Sequence, residues 1–148
     1  MTTIIYEHKS KIIACDSRAV IDGDMIGSDE CIKWRYDKSK LFFFAGLACE
    51  ADDFMAYFGI QSKPELNFQT IAIMVMNGKA YLCGIDENDG WWQEELYFNT
   101  SIGSGKKFAL SALDFGQSPL ESVQFASTRD IYTGGKCHVF DIDTMAFI

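Results

Sequence analysis

Apolar positions change their spacing along the chain, and the changes mark out its elements. Near the N-terminus, Thr3–His8 and Lys11–Cys15 read as two strands around the turn-like Lys9-Ser10. Leu41–Ala45 is a short unbroken apolar run, the pattern of a strand buried on both faces. The spacing then becomes helical: Ala51, Phe54, Met55 and Phe58 fall at i, i+3, i+4 and i+7. Glu50, Asp52 and Asp53 place acid in the first turn, where the helix dipole favours it, and Gly59 is the expected stop.

Strand spacing returns beyond Pro64. Thr70–Met76 and Lys79–Ile85 flank Asn77-Gly78, the strongest short hairpin signal. Asp86–Gly90 reads as a second turn and Trp92–Phe98 as a further strand. In Trp91-Trp92, neighbouring residues on a strand face opposite sides, so one ring is expected to be exposed. Two helices follow. Lys106–Phe115 carries Phe108, Ala112 and Phe115 on one face and stops at Gly116. Ser118-Pro119-Leu120-Glu121 opens the other with a capping box and a proline at the first helical position. Lys136–Asp141 and Thr144–Ile148 close the chain as strands. This order predicts an α+β fold, and with no Pro/Ser/Gly linker or internal repeat, a single domain over 1–148.

Composition narrows the function. The chain has 148 residues, 48% hydrophobic and 23% charged, ordinary for a globular domain with a core. A formal net charge of -8 argues against nucleic acid as a partner. No secretory leader is read at the N-terminus, and no apolar run approaches membrane-spanning length. Five scattered cysteines with no Cys-x-x-Cys pair read as reduced, mostly core thiols, which places the protein in the cytoplasm. The two histidines, His8 and His138, have no ligand-like spacing to them, so neither a metal site nor a cofactor is expected.

The candidate chemistry begins at Thr2. A threonine hydroxyl is a weak nucleophile without a base, and an α-amine, with an ordinary pKa of about 7.7–8.0, is suited to that task. A threonine exposed at the N-terminus by removal of Met1 would hold nucleophile and base in one residue. Four further fragments follow in order: Asp16-Ser17-Arg18-Ala19, Lys33, Ala45-Gly46, and the pair Gly103-Ser104-Gly105 and Arg129-Asp130-Ile131-Tyr132-Thr133-Gly134-Gly135. Taken singly, Asp16 reads equally as a turn carboxylate, Lys33 as a solvated lysine, Gly46 as a tight turn and Ser104 as a helix N-cap.

Together the fragments resemble the proteasome β-type and HslV-like N-terminal threonine peptidases of the Ntn-hydrolase family, over nearly the whole chain. The resemblance implies a four-layer αββα sandwich of two antiparallel sheets flanked by helices. It makes Thr2 the nucleophile, with Asp16 orienting Lys33 and Lys33 easing deprotonation of the threonine. Gly46 becomes an oxyanion donor through its backbone N–H. Ser104, Asp130 and Thr133 become supports of the terminal amine. Substrate would bind the backbone at Val20, and Ala19, Cys31, Phe44 and Ala48 would line an uncharged pocket, with core packing an equal reading for Phe44. The family-like match begins at Thr2, so no propeptide is expected.

The implied partners are a peptide or unfolded-protein substrate and further copies of the chain in a ring. Between the Ala51-Asp52 helix and the Ile71–Met76 strand there is room for one short helix where the family has two longer ones. Ordinary partnership with an ATPase unfoldase is therefore not expected. The competing reading is a non-catalytic structural or regulatory ring subunit of the same fold that keeps Met1.

Overall fold

The computed structural model describes residues 1–148. Along the chain the strands are β1 (Thr3–Glu7), β2 (Ile12–Cys15), β3 (Ala19–Ile21), β4 (Met25–Ser28), β5 (Trp34–Asp37) and β6 (Lys40–Ala45). A 3-10 turn, Ala48–Glu50, leads into α1 (Ala51–Ala56). Then come β7 (Ile71–Met76), β8 (Lys79–Asp86), β9 (Gly90–Glu95) and β10 (Thr100–Gly103). Helices α2 (Lys106–Asp114) and α3 (Pro119–Ser127) precede β11 (His138–Asp141) and β12 (Ala146–Phe147). The result is a mixed helix and strand fold in which every strand pairing is antiparallel. The chain forms two compact units, Met1–Lys33 with Tyr97–Ile148, and Trp34–Leu96.

The first unit is built on a five-stranded sheet in the order β10-β1-β2-β11-β12. β1 lies inside it, and Thr3 to Tyr6 are all buried. Helices α2 and α3 pack on this sheet through a cluster of Ile5, Ala14, Ala109, Leu113, Val123 and Ala126. The buried stripe of α2 is thus Ala109, Ala112 and Leu113. This corrects the expected face of Phe108, Ala112 and Phe115: Phe108 is 39% and Phe115 92% exposed. Small alanines let the helix lie close to the sheet and to α3, and two phenylalanines on that side would hold it away. The capping box of α3 forms as expected. Ser118 Oγ accepts from the Glu121 amide at 3.2 Å, and the Ser118 amide donates to Glu121 Oε2 at 2.8 Å.

The β3–β4 hairpin forms a separate two-stranded sheet in this unit. Its Asp22-Gly23 turn has φ of 53° and 80°, the left-handed geometry that Asp-Gly supplies.

The second unit is a five-stranded meander, β5-β6-β7-β8-β9. Asn77 and Gly78, both at positive φ, close the β7–β8 hairpin. Strand β6 is buried at every position from Leu41 to Ala45, as its unbroken apolar run requires. Its Phe42 and Phe44 meet Phe54 of α1, Trp91 and Met74 in an aromatic cluster. Trp91 is 5% exposed and Trp92 38%, the split that strand alternation demands. The Trp92 ring lies over Gly84, where a Cβ would stand 2.6 Å from its nearest atom.

All five cysteines are free, but only Cys15 and Cys83 are buried, so the thiols are less confined to the core than expected. Burial pushes both of those thiols well up. No helix is long and apolar enough to cross a membrane.

Candidate active site

The topology of the first unit gathers most of the candidate residues at one end of its sheet. β1 pairs with β10 on one side, Thr3 opposite Gly103, and with β2 on the other, Ile4 opposite Cys15. Thr2, Asp16 and Ser104 are therefore the next residues outward on three adjacent strands. The loop leaving α3 returns to the same end. Its turn is fixed by the Asp130 amide donating to the Ala126 carbonyl at 2.8 Å and the Thr133 amide to the Asp130 carbonyl at 3.1 Å.

Side chains complete two linked networks. The hydroxyl of Thr2 donates to Oδ1 of Asp16, which also accepts the Thr3 amide at 3.0 Å. Oδ2 of Asp16 accepts the amides of Gly134 at 3.0 Å and Arg18 at 3.2 Å. Four donors on one fully buried carboxylate fix its position and orientation. In the second network, Oδ2 of Asp130 accepts the hydroxyls of Ser104 and Thr133, both at 2.6 Å. Thr133 Oγ1 lies 2.6 Å from Thr3 Oγ1, and Ser104 Oγ lies 3.4 Å from the Thr2 carbonyl oxygen. Two glycines make this closeness possible. A Cβ on Gly103 would stand 1.9 Å from the Thr2 carbonyl oxygen, and one on Gly105 would stand 2.1 Å from Thr3 Oγ1.

Lys33 lies beside the peptide bond that precedes Thr2. Its ammonium donates to the carbonyl of Arg18, and to that of Met1 at 3.5 Å. Asp16 spends its oxygens on Thr2 and three backbone amides. With Met1 attached, the Met1–Thr2 peptide brings its own carbonyl to the lysine. The Met1 amine titrates below its ordinary 8.0, first because burial disfavours its charge and then because Lys33 repels it; Asp16, Asp130 and Cys31 oppose the shift. Thr2 itself is only 1% exposed.

The remaining candidates divide between the units. Ala19, Val20 and Cys31 are half-buried in the first. Val20, with Arg18, Met25, Asp130 and Tyr132, lines a cavity of about 440 Å³. Ser104 is not the N-cap of α2; that position is Gly105, which frees the serine for Asp130. Gly46, Phe44 and Ala48 belong to the second unit. Gly46 has φ +136°, and a Cβ there would stand 2.8 Å from both Cα and Oγ1 of Thr70, so local packing alone requires glycine. Phe44 is 8% exposed and stacked on Phe42, a core position, and Ala48 is exposed.

Sequence reasoning missed Thr3 and Asp29. Thr3 was legible in the Thr2-Thr3 doublet that opens β1. Asp29 had no local signal, because its partner Arg18 lies across the β3–β4 hairpin.

Among solved structures, the crystal structure of eukaryotic HslV from Trypanosoma brucei matches 93% of this chain and 97% of that chain, with a TM-score of 0.72. The fold is that of HslV. Sequence identity to that HslV is 17%, so the likeness is one of fold. No family model and no curated protein sequence matches the chain.

Proposed function

We propose that this protein is a threonine peptidase that cleaves peptides or unfolded proteins, with Thr2 as nucleophile once Met1 is removed. The observation that carries this reading is the buried hydrogen bond from the Thr2 hydroxyl to Asp16, beside a lysine that reaches the Met1 carbonyl. An HslV fold around that pair supports it.

In the proposed reaction the free amine of Thr2 takes the hydroxyl proton as Oγ1 adds to the scissile carbonyl. Lys33, already close to the carbonyl preceding Thr2, supplies positive charge as the alkoxide develops. Collapse of the tetrahedral adduct breaks the C–N bond, and the departing amine takes the proton. Water then hydrolyses the threonyl ester. Asp130, through Ser104 and Thr133, steadies the backbone around the amine. Gly46, which the resemblance offers as oxyanion donor, lies in the second unit, and its part is proposed from that resemblance alone. Ala19, Val20, Cys31, Phe44 and Ala48 are the proposed substrate contacts; all are uncharged, which favours apolar or small residues at the cleavage site. The reading carries with it one four-layer αββα domain over 1–148, a homo-oligomeric ring and a cytoplasmic location.

The second reading, a non-catalytic ring subunit that keeps Met1, is favoured by one observation: Thr2 is 1% exposed while Met1 is attached. Intact mass and cleavage of a fluorogenic apolar peptide, measured on the same sample, separate the two. Protein lacking Met1 should cleave the peptide, and its Thr2→Ala variant should not. Cleavage by Thr2→Ala, or none by the Met1-free wild type, overturns the peptidase.

A further inference from the structure

The carbonyl that holds Lys33 belongs to Arg18, and the side chain of that arginine is gripped from outside the candidate catalytic set. Arg18 Nε donates to Asp29 Oδ1 at 2.8 Å and Nη2 to Oδ2 at 3.1 Å, a two-point fork that fixes direction as well as distance. Arg18 Nη1 donates to the Ile131 carbonyl at 3.2 Å. The backbone of Asp29 is tied to the same loop, its carbonyl accepting from Ser17 Oγ at 2.5 Å. Two residues further on, the Cys31 amide donates to the Ser17 carbonyl at 2.8 Å. The segments before Lys33 and after Asp16 are therefore laced together by Asp29, Ser17 and Arg18.

The double glycine gives way to this lacing. A Cβ on Gly134 would stand 2.5 Å from the guanidinium carbon of Arg18, and one on Gly135 would stand 2.4 Å from the Asp29 carbonyl oxygen. Gly134-Gly135 is thus required by the arginine–aspartate fork as well as by the turn into β11.

Resting on the peptidase reading, we propose that Asp29 is a positioning residue for Lys33: it holds Arg18 in the orientation that presents its carbonyl to the ammonium. The ion pair is partly exposed, and such pairs contribute little to stability, so its value lies in direction.

The test uses the full chain and reads the N-terminal amine as well as activity. Lys33 lowers the titration of that amine, with Asp16, Asp130 and Cys31 acting on it from the opposite side. If Asp29→Asn frees Arg18, Lys33 drifts and the amine titrates closer to its ordinary 8.0, as followed by NMR. In Met1-free protein the acid limb of kcat moves to higher pH, kcat falls about tenfold to a hundredfold, and KM holds. Arg18→Lys, which keeps the charge and loses the fork, should match it, and Asp29→Glu should recover part of the loss. Melting temperatures should barely change. An unmoved amine titration in folded Asp29→Asn or Arg18→Lys overturns the proposal. So does a loss of kcat that is uniform across pH, the mark of a merely structural role. The titration reads out without turnover, so an inactive wild type sinks the peptidase reading while the role of Asp29 is still decided.

Discussion

The hydroxyl of Thr2 donates to the carboxylate of Asp16, and that contact joins the candidate nucleophile to the end of β2. Asp16 also accepts three backbone amides, those of Thr3, Arg18 and Gly134. Removing its carboxylate strands buried donors, each costing about 1–3 kcal/mol. Asp16→Ala should therefore lose at least about 3 kcal/mol of stability, and Asp16→Asn, which turns an NH₂ toward donors, should lose a large part of it. Thr2→Ala removes one donor to the same carboxylate and should cost no more than about 1.5 kcal/mol while abolishing cleavage. Urea unfolding of the three variants, with peptide turnover, checks the contrast.

The Met1 amine gives a pH signature to protein that retains it. Its titration is lowered from 8.0 by burial and then by Lys33. Between the folded value and 8.0 the unfolded chain binds more protons than the folded one, so stability should rise with pH across that window. Acetylating the amine should remove that part of the slope. Unfolding free energies at several pH values, compared between acetylated and free protein, measure it directly. Equal slopes would show that the amine is not desolvated.

Gly105 tests the second network. It caps α2 at φ -89°, a conformation any residue can adopt, so a substitution there acts through space alone. A Cβ at 2.1 Å from Thr3 Oγ1 and 2.9 Å from Thr133 Oγ1 must push the two hydroxyls apart. Gly105→Ala should cost about 1–3 kcal/mol and lower kcat more than KM. The second-unit control is Gly59→Ala, where no atom lies within 4 Å of the new Cβ and only the φ of +75° is strained. It should leave KM and kcat almost unchanged.

What the sequence made legible follows from how local each signal is. Asn77-Gly78 and Ser118-Pro119-Leu120-Glu121 carry their hydrogen-bond partners within a few residues, and both formed as read. Thr2, Asp16, Ser104, Asp130 and Thr133 are legible as fragments in order; the pairing of β10, β1 and β2 brings the first three to one sheet end, and the loop leaving α3 brings Asp130 and Thr133 there. The β3–β4 hairpin went unread although Asp22-Gly23 announced it, because its strands are short and mostly exposed. β5 went unread because its turn to β6 uses Lys38 at φ 55° in place of glycine. The face of α2 is not legible from aromatic size, because its tight packing calls for alanine. Asp29 was beyond reach because Arg18 meets it only once the intervening hairpin has folded.

The outward side of α2 carries Phe108 and Phe115 into solvent. Phe115 is 92% exposed at the end of that helix, and Phe125 of α3 is 43% exposed. With Ser111, Ala112 and Gln117 they surround an open apolar cavity of about 560 Å³. An aromatic knob beside an apolar hollow is self-complementary under a two-fold axis, where each copy fills the hollow of the other. The proposed ring assembly gives this surface its partner in a second copy of the chain. Light scattering coupled to size exclusion should give a mass several times 16.7 kDa at micromolar concentration. Phe115→Ser should move it downward, with the melting temperature of the monomer unaffected because the ring contributes nothing to the core. A wild-type mass near 16.7 kDa would refute the assembly, and tight nucleotide-dependent binding of an unfoldase would refute the expectation that the chain works without one.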